Sequence, residues 1–161
     1  MEIEMVEIEI TVGLKSIKTS PKFDIRKWIV TKWTRSDYYH MKILINNTWV
    51  DATLDGVKVY DKSEDNFENS EYEYISLGKY FLLENQYEIL QKYIQSIKGQ
   101  SYDWTQIFLT HFIRFNIDHK SKWTCSELVT KLLQMCYYEK VIDLRPERVT
   151  PKELARIIKD E

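Results

Sequence analysis

The sequence predicts an α+β fold, an antiparallel β-sheet packed against helices. Three observations carry it. Early segments alternate apolar and polar residues with the period of a half-buried strand, and two β-rich runs flank Asn46-Asn47 as the arms of a hairpin would. Later segments place apolar residues at helical spacing behind capping patterns. With 161 residues, 43% hydrophobic and 14% aromatic, the chain suits one compact domain over residues 1–161 with a sizeable core.

Residues 2–12 alternate Glu with Ile, Met or Val, which reads as an edge strand with one buried and one acidic, solvated face. A phase slip at Met5-Val6 is where a bulge is expected, and Gly13 to Pro21 reads as a loop. Asp24 can cap a short helix through Trp33, although the run Trp28-Ile29-Val30 would also suit a strand.

The hairpin comes next. With Asn46 and Asn47 as the turn, Ile45 stands opposite Thr48, Lys42 opposite Asp51 and His40 opposite Thr53. Alternation then puts His40, Lys42, Leu44, Trp49, Asp51 and Thr53 on one face, and Met41, Ile43, Ile45, Val50 and Ala52 on the other. His40 and Asp51 become diagonal neighbours within reach of a side-chain hydrogen bond. A carboxylate beside an imidazole fixes its tautomer and raises its basicity, whereas the plainer reading is a polar pair facing solvent.

Asp55-Gly56 turns into a further strand, Asp61 to Glu73 reads as an exposed loop, and Tyr74 to Leu83 as a strand interrupted at Gly78. Glu84 to Lys98 is an amphipathic helix with Tyr87, Leu90, Tyr93, Ile94 and Ile97 on its packed face and Gly99 beyond its end. Asp103 caps a largely apolar helix containing His111, which reads as a packed core histidine, and His119 lies in a polar linker. Thr150-Pro151-Lys152-Glu153 starts a terminal helix through Ile158.

Between these lies the stretch with the most chemistry. Thr124 followed three residues later by Glu127 is a capping box, which makes Cys125 the first residue of a helix anchored by Leu128, Val129, Leu132 and Leu133. Free N–H groups and the positive end of the helix dipole favour a thiolate there. The alternative is a cysteine that merely packs.

Composition narrows the classes. A net charge of −2, from 23 basic and 25 acidic residues, argues against a nucleic-acid surface as the main function. Cys125 and Cys136 on one helix would lie roughly 16 Å apart, beyond disulfide reach, so neither a disulfide framework nor a Cys-rich zinc site is expected and a reducing compartment suits the chain. The acidic, alternating N-terminus does not resemble a signal peptide, and no stretch approaches a membrane span.

Taken in order, Tyr38-Tyr39-His40-Met41-Lys42-Ile43-Leu44-Ile45, Trp49-Val50-Asp51-Ala52, Asp55-Gly56-Val57, Tyr102-Asp103-Trp104 and Thr124-Cys125-Ser126-Glu127-Leu128-Val129 resemble the circularly permuted branch of the NlpC/P60 papain-like superfamily. In that branch the His-bearing hairpin precedes the cysteine, as here. The resemblance covers about residues 24–155. It departs from the family at Tyr39 and Met41, where Ser and Val are frequent, and in the long segment between Tyr102 and Cys125.

The resemblance implies Cys125 as nucleophile, His40 as general base, Asp51 as third polar residue and Tyr102 near the oxyanion site. It implies a cysteine hydrolase, a peptidase or amidase acting on a peptide or isopeptide such as a cell-wall peptide, with no metal and no cofactor. Two alternatives stand beside it. One is an acyltransferase or thioesterase on lipid or acyl substrates, since related permuted domains act on acyl groups. The other is a non-catalytic structural or binding module of a phage or virus, because fold does not determine function. The expected location is cytoplasmic or virion-associated; the oligomeric state is not legible.

Overall fold

A computed structural model describes residues 4–18, 31–32, 37–65, 71–102 and 122–160, without the side chains of residues 102 and 122. The fold is α+β. Strands β1 (Met5–Ser16), β2 (Tyr38–Ile45), β3 (Thr48–Thr53), β4 (Gly56–Asp61) and β5 (Tyr72–Leu83) form one antiparallel sheet in the order β4-β3-β2-β1-β5. Helix α1 (Glu84–Ile97) follows; then β6 (Ser101–Tyr102) pairs in parallel with β7 (Lys122–Trp123), and β7 leads into α2 (Cys125–Met135). Helix α3 (Pro151–Lys159) closes the chain. No helix of the described residues is long and apolar enough to cross a membrane.

The first strand corrects three expectations. β1 lies between β2 and β5, so it is interior to the sheet and not its edge. Its exposed Glu7 and Glu9 show that one face meets solvent, but a strand's neighbours are set by backbone hydrogen bonds, which side-chain alternation does not report. The strand also continues to Ser16, through residues expected to form a loop. Finally, the slip at Met5-Val6 is no bulge: Met5 takes a place on the solvated face, 52% exposed, and pairing runs evenly from Met5↔Leu83 to Ile10↔Gly78. The register shifts come between Ile10 and Thr11 against β5, and between Lys15 and Ser16 against β2.

Gly78 sits at the first of these shifts with φ +91°, which only a residue without a Cβ adopts freely, and this explains the interruption read at that position. β5 begins at Tyr72, inside the expected loop, and Lys62–Glu64 form a short 3₁₀ turn capped by Asp61. The expected helix over 24–33 lies outside the described residues except for Thr31 and Lys32, which are helical. The helix after Asp103, with His111, and the linker with His119 also lie outside them.

The hairpin has the expected register: Ile45↔Thr48, Leu44↔Trp49 and Ile43↔Val50, with Asn46 turning at φ 54°. The core forms where Ile8, Ile10, Val12, Leu14, Met41, Ile43, Ile45, Val50 and Ala52 of the sheet meet Leu90, Ile94 and Ile97 of α1 and Leu128, Val129, Leu132 and Leu133 of α2. Each Val, Leu, Ile or Met side chain here contributes about 1.5–3 kcal/mol by leaving water, and truncating a fully buried one such as Leu132 to Ala should cost about 2–5 kcal/mol.

Candidate active site

Cys125 is brought to the sheet by a short chain of local interactions. β4 extends its pairing beyond the sheet: Val57 N–H donates to the Gln100 carbonyl and Gly99 N–H to the Val57 carbonyl, each at 2.8 Å. The next two residues are β6, whose partner β7 ends one residue before the N-cap of α2. Trp123 Nε1 donates to Gln100 Oε1 at 2.6 Å and holds the two segments together.

Thr124 then caps α2 as its sequence predicts. Its Oγ1 accepts from Glu127 N at 3.3 Å, and Glu127 Oε2 accepts from Thr124 N at 3.4 Å. Neither bond uses the N–H groups of Cys125 or Ser126, which belong to the first-turn donors that no carbonyl within the helix can satisfy. Ser126 anchors the turn from below, donating from Oγ to the Val149 carbonyl at 2.7 Å.

His40 and Asp51 come from the hairpin. His40 Nε2 and Asp51 Oδ1 are 2.7 Å apart, with side chains 17% and 9% exposed, so the pair is enclosed and does not face solvent as its plainer reading had it. The Cys125 thiol lies near enough to the imidazole to help hold its proton. With Nε2 engaged by Asp51, Nδ1 is the nitrogen left for sulfur. The structure therefore brings Cys125, His40 and Asp51 together from three elements, α2, β2 and β3.

The electrostatics follow from that order. Burial opposes protonation of His40, but the Asp51 charge and hydrogen bond, with the Cys125 contact, outweigh it, and the imidazole pKa is pushed up to about 10 from 6.5. An imidazole so held beside a thiol has the placement a base needs to take a nucleophile's proton. Among the described residues no group of three or more His, Cys, Asp or Glu side chains could hold a metal ion.

Tyr102 lies in β6 with its backbone paired to Trp123, close along the chain to Cys125, while its side chain is outside the described atoms. Lys42, opposite Asp51 in the hairpin register, pairs instead with Asp65 at 2.8 Å. Tyr72 was not among the expected site residues, yet its ring meets His40 edge-on, with centroids 6.1 Å apart and planes at 67°. The only available signal was the alternation Glu71-Tyr72-Glu73-Tyr74, which a strand start at Tyr74 obscures.

Comparison with protein-family models, with curated proteins and with solved structures yields no match.

Proposed function

We propose that this chain is a thiol hydrolase that cleaves an amide through Cys125, His40 and Asp51. We further propose the circularly permuted NlpC/P60 arrangement as its architecture, which makes a peptide or isopeptide the substrate class. One observation carries the reading: His40 is hydrogen-bonded to Asp51 and lies beside a thiol at a helix N-terminus. That is the sequence orienter, base, nucleophile that covalent acyl transfer requires.

In this mechanism His40 takes the Cys125 proton at Nδ1 while Asp51 accepts the Nε2 hydrogen bond, giving thiolate and imidazolium. The thiolate adds to the carbonyl carbon, and the N–H groups at the start of α2 receive the oxyanion. As the tetrahedral intermediate collapses, His40 returns its proton to the leaving amine and the C–N bond breaks. The thioester is then attacked by water, from which His40 removes a proton, and Cys125 is released with the carboxylic acid product.

The test needs no substrate. Iodoacetamide at pH 6 should alkylate Cys125 at least about tenfold faster than Cys136, because a thiol beside a base reacts as thiolate while burial keeps the Cys136 thiol protonated. His40→Ala should abolish the difference. Equal, slow alkylation of both thiols in the unmodified protein would refute the activated nucleophile.

A further inference from the structure

Lys42 stands in the middle of β2 and is only 2% exposed, an expensive place for an ammonium. Its surroundings explain how it is held. Nζ donates to Asp65 Oδ2 at 2.8 Å and to the Tyr60 hydroxyl at 3.2 Å, and Tyr74 O–H donates to the same Asp65 oxygen at 3.0 Å. Four rings wall it in, with centroids at 4.3 Å for Trp49, 4.3 Å for Tyr72, 5.6 Å for Tyr74 and 5.8 Å for Tyr60. The sheet makes room through Gly13 on β1, where a Cβ would lie 3.2 Å from each of Lys42 Cγ, Tyr72 Cδ1 and Tyr74 Cε1.

A buried ion pair is weak evidence for stability, since apolar residues of the same volume often serve as well. It does confer geometry. Lys42 fixes the ring of Tyr72 by cation–π attraction, Lys15 Nζ approaches the same ring at 5.3 Å while paired with Glu71 at 2.7 Å, and Tyr74 stacks on it at 6.0 Å. The ring so fixed is the one that meets His40 edge-on.

We propose that Tyr72 is a positioning residue for His40, its ring holding the imidazole in the plane where it reaches both Asp51 and Cys125, and that the aromatic box around Lys42 holds Tyr72. This rests on the thiol-hydrolase reading above. Contacts at the two ring nitrogens fix an axis through the imidazole, and the ring can still turn about that axis. An edge-to-face contact from β5 removes that freedom. Asp51, Cys125 and Tyr72 face the imidazole from β3, α2 and β5, and Lys15 is its register partner on β1. Burial, and then the Asp51 charge, keep the Tyr72 hydroxyl protonated, so Tyr72 adds no charge of its own to the site.

The experiment is the pH–rate profile of Cys125 alkylation by iodoacetamide in the full chain, for the unmodified protein, Tyr72→Phe, Tyr72→Leu and Lys42→Met, with thermal unfolding alongside. Tyr72→Phe keeps the ring and should keep the profile. Tyr72→Leu should lower the rate at pH 6 by roughly three- to tenfold, the range one aromatic pair commands, and move the acid limb to higher pH. Lys42→Met leaves the ring but frees it, and should produce a smaller fall in the same direction; it also serves if Tyr72→Leu does not fold. The proposal is overturned by a folded Tyr72→Leu or Lys42→Met protein with the unmodified profile and only a lower melting temperature. It is equally overturned if Tyr72→Phe falls as far as Tyr72→Leu, since the hydroxyl would then be the working part. Absence of rapid Cys125 alkylation in the unmodified protein refutes the thiol-hydrolase reading itself, and with it this one.

Discussion

The two ends of α2 carry the same residue type in opposite settings. Cys125 begins the helix and Cys136 caps its end; they are 2% and 0% exposed, and both are free thiols. Burial pushes the Cys136 thiol up to about 12, which leaves it protonated and inert. The terminal carbonyls of α2 lie at that end, and they repel a negative charge. Cys125 is equally enclosed but meets an imidazole backed by a carboxylate, at the helix end whose N–H groups attract a negative charge. Enclosure alone silences a thiol; enclosure with a fixed base can arm one.

The sharpest way to break this comparison is to exchange the thiols' fates. Cys125→Ala should remove all rapid alkylation at pH 6 and any hydrolytic turnover, a loss on the order of 10⁴-fold or more for a covalent nucleophile. Cys136→Ala should leave both unchanged and cost about 1–2 kcal/mol through the small cavity it opens. Mass spectrometry of the alkylated chain and denaturant unfolding check the two halves.

The next effect is on stability against pH. His40 titrates near 6.5 when unfolded and at about 10 when folded, so its protonation favours the folded state. That contribution is complete below pH 6.5 and is lost as pH rises through 10. Unfolding free energy should therefore fall by about 5 kcal/mol across that window, and His40→Gln should flatten the fall. A profile that the substitution leaves unchanged would show that the imidazole is not held as a cation. The smallest effect belongs to the N-cap: Thr124→Ala should cost about 1 kcal/mol and slow Cys125 alkylation slightly, by letting the first turn of α2 fray. Denaturant titration measures the first part and the alkylation rate the second.

The hairpin and the α2 start were legible because their causes are local. A turn at Asn46-Asn47 sets every cross-strand pair by counting, and the closeness of His40 and Asp51 follows from it. A capping box is a contact between residues three apart, so the position of Cys125 at the helix start follows from four consecutive residues. The place of β1 was misread because its neighbours come from residues 38–45 and 72–83, and no pattern inside residues 2–12 encodes them. Tyr72 and the box around Lys42 were missed for the same reason: Asp65, Trp49, Tyr60 and Tyr74 converge on one lysine from three strands and a turn.

The amino-acid sequence by itself thus determined the elements and the chemistry each can offer: a thiol at a helix N-terminus, an imidazole and a carboxylate on one face of a hairpin, and amphipathic faces that must be buried. Only the tertiary structure decided that the thiol meets the imidazole, that β1 lies inside the sheet, and that a buried lysine lies over the ring of the tyrosine beside His40. Periodicity and capping act over a few residues along the chain. The order of strands, and the meeting of side chains far apart in sequence, are set by how apolar faces pack together once those elements exist.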